Sequence, residues 1–323
     1  SKNDIEQKNT FVLDSEFDYL TEGGIIRLEP DGRLISLFRK DTRYNTILLT
    51  ERCNHYCLMC SQPPKKNDDS WLLEQAMELV ELIPKDTNII GFSGGEPTLY
   101  GDGFVRLMEK TKSMLPSTKI DVLSNGRLFS SPDFSHKVAK VAHPYLMFCI
   151  PLYSDDPVIH DYVVQSDGAY DETLAGILNL KALQQKVEIR IVIHQQTIER
   201  LVETCQFIAR NLLFVDHVAL MGLEITGFTR ANLDKLWIDP FEYKDKLSEA
   251  VAILNHHGIA NSVYNHQLCT VNEDVLGNYQ RSISAWKNEL VEECSNCSRR
   301  SECGGFFSSS KKYRFSKHIK AFA

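Results

Sequence analysis

Thr50-Glu-Arg-Cys-Asn-His-Tyr-Cys-Leu-Met-Cys60 sets thiols at Cys53, Cys57 and Cys60. It is followed by Ile89-Ile-Gly-Phe-Ser-Gly-Gly-Glu-Pro-Thr98, an apolar run that ends in two glycines. Three thiolates can hold three irons of a [4Fe–4S] cube, which leaves the fourth iron without a protein ligand and open to a small molecule. Between the two stretches, Ala76, Leu79, Val80 and Ile83 recur at the helical period, and the pattern stops at Pro84. The order is strand, helix, strand, which is one βαβ unit. Both loops then leave the carboxyl ends of neighbouring parallel strands, where folds of this kind bind ligands.

Outward from that unit, strand and helix patterns alternate. Strands are predicted at Thr46–Thr50, Ile89–Phe92, Ile120–Leu123, Leu146–Leu152, Val187–Ile193 and His217–Leu220. Helical spacing appears in Phe104, Leu107, Met108 and Leu115, and again in Ile198, Leu201, Val202, Cys205 and Ile208. The fold class is α/β, a partial (β/α)6 TIM-type barrel. A β-hairpin turning at Pro30-Asp31-Gly32 precedes it, and a cysteine-rich region follows it. The predicted division is residues 1–44 for the hairpin extension, 45–230 for the barrel and 231–323 for the cysteine-rich region. Cys149 and Cys205 fall on apolar faces and read as core, and Asn255-His-His-Gly258 reads as a helix end with a glycine cap.

With 323 residues, 43% of them hydrophobic, the chain can bury a sizeable core. Its net charge of −7 argues against a nucleic-acid footprint. No apolar run reaches membrane-spanning length and the opening residues are polar, so a cytoplasmic location without membrane contact is expected. In that compartment nine cysteines serve as metal ligands or buried thiols in preference to disulfides.

The cysteine loop and the Gly94-Gly95-Glu96-Pro97 segment together resemble the radical S-adenosylmethionine (radical SAM) superfamily. The resemblance implies that Cys53, Cys57 and Cys60 hold the cluster and that Gly94 to Pro97 receive the methionyl amine of the cofactor. Glycines admit close backbone approach, and an ammonium needs oxygen acceptors. It further implies polar cofactor contacts after later strands, at Ser124 and Asn125 and at Ser154. Many relatives carry an Arg shortly after the position of His160-Asp161; this chain reads Tyr-Val-Val-Gln there, and Arg190 is the candidate substitute for the carboxylate contact. Met59 stands where an aromatic residue is usual before the last cysteine, and its thioether is the candidate for adenine packing.

The tail supplies Cys269, Cys294, Cys297 and Cys303, a complete ligand set for zinc or for a second cube; spacing alone chooses neither. Behind a radical SAM core it resembles the auxiliary-cluster modules called SPASM and twitch, which implies one auxiliary [4Fe–4S] cluster. Tyr44-Asn45, Leu48 to Asn54, Cys57 to Pro64, Trp286-Lys-Asn288 and Cys303-Gly-Gly-Phe-Phe307 are similar to a radical SAM maturase of the His-Xaa-Ser peptide system. The implied activity is reductive cleavage of S-adenosylmethionine to a 5′-deoxyadenosyl radical, which abstracts hydrogen from a ribosomal precursor peptide. The implied partners are that peptide, a sister maturase and a reductant such as flavodoxin or ferredoxin. A small-metabolite substrate, or a non-catalytic iron–sulfur or zinc scaffold or redox sensor, are the alternatives. No catalytic acid or base is assigned; Tyr56, Glu224 and Cys149 are pocket candidates only.

Overall fold

The structure, a computed structural model, describes residues 13–281 and 289–323. The Trp286-Lys-Asn288 stretch lies outside the described residues. Strands β1 (Ile25–Leu28) and β2 (Leu34–Phe38) form the antiparallel hairpin that the Pro-Asp-Gly turn predicts. Gly32 closes it at φ +86°, and the Arg27 guanidinium sits 4.7 Å over the Trp71 ring, fastening the hairpin to the first helix.

The main sheet runs β3 (Asn45–Thr50), β4 (Ile89–Gly94), β5 (Lys119–Leu123), β6 (Leu146–Pro151), β7 (Lys186–Ile193), β8 (His217–Gly222) and β9 (Asn261–Tyr264). Every pair is parallel and each strand neighbours the next in sequence, the topology of a (β/α) barrel left open between β3 and β9. Helices α1 (Trp71–Leu82), α2 (Asp102–Met114), α3 (Pro132–Val141), α4 (Pro157–Val164), α5 (Ala169–Ala182) and α6 (Leu201–Asn211) fill the crossovers up to β8. Between β8 and β9 lie α7 (Phe228–Ala231), α8 (Leu233–Leu236) and α9 (Lys244–His256), and α10 (Ser308–Tyr313) lies in the tail. No helix among the described residues is long and apolar enough to cross a membrane.

All six predicted strands are present, and β9 makes a seventh. It has four residues, two of them Asn261 and Ser262, too short and too polar for its pattern to register against sequence noise. Its place is set by pairing, with Val218 opposite Asn261 and Met221 opposite Tyr264. The glycine cap after α9 is present, with Gly258 at φ +70°.

The two faces of the sheet differ in kind. On β7, Val187, Ile189, Ile191 and Ile193 point outward into the aliphatic core beneath the helices, while Glu188, Arg190 and Val192 point inward and keep partial exposure. Phe148, Ile150 and Leu152 likewise face the outer core, and Cys149 turns the other way. A closed barrel of this type packs its interior with branched aliphatic side chains. Here the interior holds Tyr44, Asp121, Glu188, Arg190 and Tyr264 around an open cavity. Cys205 belongs to the outer core as the sequence predicts; Cys149 is buried, but on the cavity side.

Helix α5 pins the loop that follows β5. Gly176 lies so close that a Cβ there would stand 2.2 Å from the Gly126 carbonyl oxygen. Thr173 Oγ1 donates to the Asn125 carbonyl (3.1 Å), and Asn179 Nδ2 to the Phe129 carbonyl (2.9 Å). Backbone against backbone leaves nothing flexible to yield, so Gly176→Ala is expected to cost about 1–3 kcal/mol, read from urea unfolding. Leu178→Ala, on the exposed side of the same helix, should stay close to wild type; equal losses would show that the close approach is not what matters.

Candidate active site

The cysteine loop is fastened along its whole length through its backbone. At its start the buried Asp69 carboxylate accepts from Thr50 Oγ1 (2.9 Å), the Glu51 amide (2.5 Å), Arg52 Nε (3.1 Å) and the Tyr100 hydroxyl (3.2 Å). In the middle, Asn54 Oδ1 accepts from Asn125 Nδ2 at 2.6 Å, and the Tyr56 and Leu58 amides donate to the carbonyls of Val164 and Val163. At its end the segment after β8 closes over it. The Phe228 amide donates to the Cys60 carbonyl (2.8 Å), Thr229 Oγ1 to the Met59 carbonyl (3.1 Å) and Asn232 Nδ2 to the Leu58 carbonyl (2.9 Å). Gly227 permits this approach, since a Cβ there would lie 2.2 Å from the Cys60 carbonyl.

The glycine segment abuts this loop. The Gly95 amide donates to the Thr50 carbonyl (2.7 Å) and the Glu96 amide to the Arg52 carbonyl (2.8 Å). A Cβ on Gly94 would meet the Thr50 carbonyl at 2.4 Å, and one on Gly95 the Arg52 carbonyl at 2.1 Å. The close approach visible here is therefore to the cysteine loop itself. The Glu96 carboxylate is buried and fully engaged, accepting from the Thr98 amide (3.0 Å), the Thr98 hydroxyl (2.5 Å), Ser124 Oγ (2.8 Å) and the Asn125 amide (2.5 Å). Pro97 opens the short turn that follows and is buried beside it.

These bonds change the reading of Ser124 and Asn125. The Ser124 hydroxyl gives its proton to Glu96 and accepts from the Gly126 amide, and the Asn125 side chain is spent on Asn54 and on the Arg127 amide. Both residues tie the ends of β4 and β5 together; the Ser124 hydroxyl has given up its one proton, and the Asn125 side-chain amide keeps only its second N–H. Ser154 is fully buried; its Oγ accepts from the Asp156 amide at 3.1 Å. Met59 packs beside Tyr153, Val163 and Leu236, with Cys57 and Val192 against the same cluster.

All three thiols of the loop are half-buried. The His55 amide donates to Cys53 Sγ at 3.3 Å. Burial pushes the Cys53 thiol up to about 12, and raises Cys57 and Cys60 as well. Thiols so raised stay protonated until a metal's charge displaces the proton, so filling this loop releases protons. Burial pushes the Tyr153 hydroxyl well up, with the three cysteines adding to that push and Arg190 opposing it.

Arg190 lies deeper in the barrel. It is the next inward residue below Val192, about 7 Å along the strand. Its Nε donates to Glu188 Oε1 at 2.6 Å, while Nη1 and Nη2 form no hydrogen bond to described residues. Burial would raise Glu188, but His217 and Arg190 hold it down at about 2. His217 Nδ1 stands 2.9 Å from Glu188 Oε2, off the hydrogen-bond direction, and its Nε2 pairs with Ser262 Oγ at 3.0 Å. Across the cavity the Tyr44 hydroxyl donates to Asp121 Oδ2 at 3.1 Å, in space that Gly91 leaves free.

The tail brings Cys269, Cys294, Cys297 and Cys303 to the wall of one small cavity, with Arg299, Arg300 and Lys320 beside them. Backbone amides point at the sulfurs, from Phe322 to Cys297 Sγ and from Gly305 to Cys303 Sγ, each at 3.4 Å. Amide donors and nearby cations suit thiolate ligands. Among the described residues no three His, Cys, Asp or Glu side chains close around a single-ion position. The two cysteine sets are thus defined by the loops and walls they share.

Sequence reading missed Asp69, Gly227, Thr229 and Asn232, the residues that hold the loop in place. Only the glycine after a strand end carried a local signal. Asp69→Ala should leave the fold standing while loosening the loop's first turn. Iron retained after anaerobic reconstitution and desalting should fall relative to wild type, with far-ultraviolet circular dichroism unchanged; full retention would show that the loop holds its form without this carboxylate.

Residues 47–208 match the radical SAM superfamily. A curated relative, GTP 3′,8-cyclase of Haemophilus influenzae (strain PittGG), is 23% identical over 269 residues, covering 80% of this chain and 77% of its own. Among solved structures, anSMEcpe with bound AdoMet and the Kp18Cys peptide superposes with a TM-score of 0.60 at 14% identity, over 86% of this chain and 92% of that one. Streptococcus suis SuiB bound to S-adenosylmethionine gives 0.55 at 17% identity, over 71% of this chain. The chain spans about half of SuiB, 51% of its length. The barrel, the two loops at its carboxyl end and this match over half the sequence make the chain a member of the radical SAM superfamily.

Proposed function

We propose that this radical SAM enzyme modifies a ribosomally made peptide. In this reading Cys53, Cys57 and Cys60 hold the cluster that the family implies, and Cys269, Cys294, Cys297 and Cys303 hold a second, auxiliary [4Fe–4S] cluster. The observation that carries the reading is the open polar cavity inside the barrel, lined from Glu188 and Arg190 at mid-depth to the amino ends of the strands. At about 1380 Å³ it exceeds what a drug-sized ligand needs and suits a length of peptide. Supporting it, both anSMEcpe and SuiB have structures with a bound peptide, the latter with its precursor SuiA. The sequence stretches shared with the His-Xaa-Ser maturases favour a peptide with such repeats, worked on beside a sister maturase and fed electrons by a flavodoxin or ferredoxin.

The cofactor supplies a 5′-deoxyadenosyl radical for hydrogen abstraction, and the protein supplies binding, orientation and exclusion of water. With Glu96 committed to Thr98, Ser124 and Asn125, the acceptors that this segment offers a methionyl ammonium are backbone carbonyls around Gly94 and Gly95. Ser154 and Met59 would border the cofactor, and the free edge of Arg190 faces the cavity below. The apolar set of Met59, Tyr153, Val192 and Leu223 packs against Cys57.

The similarity to GTP 3′,8-cyclase over most of both chains favours a second reading, a small metabolite as substrate.

Anaerobic reconstitution followed by assay of 5′-deoxyadenosine tests the assignment. Wild type should bind about eight irons and release 5′-deoxyadenosine. Cys57→Ala should abolish the product; its persistence would refute that ligand. Cys297→Ala should lower iron by about four while some cofactor cleavage continues. Iron near four in wild type, with bound zinc, would make the tail a zinc site.

A further inference from the structure

The cavity inside the barrel carries charge of the opposite sign to the chain. Its walls include six arginine and lysine residues against four carboxylates, in a protein with net charge −7. The carboxylates are largely spoken for. Asp41 pairs with Arg39 and Glu302 with Arg299 at the rim, while Asp121 accepts from Tyr44 and Glu188 is shared by Arg190 and His217. Several of the cations keep donors free. Arg190 has both terminal nitrogens open at mid-depth, and Lys119 and Arg43 form no salt bridge with described residues. Lys119 begins β5, and Arg43 immediately precedes Tyr44 and β3, so both stand at the amino ends of the strands, the mouth opposite the cysteine loop.

We propose that this cavity takes its substrate by an anionic group, a carboxylate or a phosphate, drawn in past Lys119 and Arg43 and seated on the Arg190 guanidinium. The idea rests on the barrel interior being the substrate site and adds the chemical class that it selects. A guanidinium whose terminal nitrogens face open space offers parallel N–H bonds that match a carboxylate or phosphate edge. Glu188 holds the guanidinium from behind through Nε, which fixes its plane. Low-dielectric walls focus the field of the unpaired cations toward the mouth, so the same groups that bind also steer. An acidic peptide segment and a nucleotide polyphosphate share this chemistry, and they differ in which probe fills the site.

The experiment is calorimetric titration of the reconstituted full chain, with S-adenosylmethionine present, against tetraglutamate, inorganic triphosphate and tetralysine. Saturable binding of tetraglutamate alone supports the proposal with an acidic peptide as source; binding of triphosphate alone supports it with a phosphate-bearing metabolite. Binding should weaken as salt is raised. The double variant Arg43→Glu, Lys119→Glu lies at the exposed mouth and spares the core, and it should weaken binding at least about tenfold. Arg190→Gln should weaken it too, with thermal unfolding measured alongside because Glu188 loses its partner. Binding of neither anion, equal binding of tetralysine, or affinity unmoved by the double variant would overturn the proposal. The same preparations are assayed for 5′-deoxyadenosine: cleavage without anion binding removes this inference alone, whereas loss of cleavage removes the enzymatic reading while the titration still reports on the cavity.

Discussion

The contact on which the site depends is backbone against backbone, where the loop after β3 meets the loop after β4. Two amide-to-carbonyl bonds join them, Gly95 to Thr50 and Glu96 to Arg52, at a separation that no side chain larger than hydrogen permits. Glycine costs conformational entropy wherever it is used. The two successive glycines weaken the end of β4 in isolation, and what they secure is a fixed position for Cys53 one residue beyond Arg52. Glu96 then extends the tie to β5 through Ser124 and Asn125, and Asn125 returns it to the cysteine loop at Asn54. Three consecutive strand ends become one rigid rim.

A buried carboxylate is a demanding way to build such a rim. Glu96 is pushed up by burial, and the donors from Thr98, Asn125 and Ser124 work against that push. Removing a donor leaves the remaining ones to offset the cost of burying the carboxylate, so the network is costly to leave incomplete. Asp69 plays the corresponding part at the other side of the loop, with Thr50, Glu51, Arg52 and Tyr100 as donors. The cysteine loop thus sits between two carboxylate knots, with backbone bonds at its start, middle and end.

This explains which parts of the molecule could be read in the sequence. Outer-face residues such as Val187, Ile189 and Ile191 announce strands because they meet helices whose apolar period is equally regular. The hairpin was legible through Pro30-Asp31-Gly32 for a local reason, the positive φ at Gly32. β9 was not, because Asn261 and Ser262 gain their places by pairing with β8 and leave no periodic trace. In the site, polar residues after strands were visible as polar, but their partners were not. Ser124 and Asn125 attract attention as ligand donors, yet they turn inward to Glu96, and only the fold reveals that the acceptor is in the protein. Asp69 carried no signal, since nothing in Asp68-Asp69-Ser70 records that Thr50 lies opposite. Cys149 was legible as buried but not as facing inward, because every residue from Phe148 to Ile150 is buried and alternation vanishes.

The inner rows of β6 and β7 join the two ends of the barrel. Pro151 lies opposite Arg190 in register, with Cys149 below it on β6 and Tyr153 just beyond the end of β6, and with Glu188 below and Val192 above on β7. Ascending these rows, the lining passes from charged to aromatic and apolar before it reaches the thiols. A closed barrel could not offer this gradient, since its interior layers would fill with aliphatic side chains. Leaving β3 and β9 unpaired with each other forgoes that packing and gains room for polar groups whose bonds are incomplete. Unfinished bonds occur at mid-depth, on the terminal nitrogens of Arg190, and also toward the carboxyl end, where the buried His55 Nε2, His160 Nε2, His194 Nε2 and Thr226 Oγ1 have no hydrogen-bond partner among the described residues. Arg190 on β7 and Lys119 on β5 both lie outside the hydrogen bonds that join the ends of β3, β4 and β5, so under the proposed reading the groups that recognise a substrate can change without disturbing the rim that holds the cysteine loop.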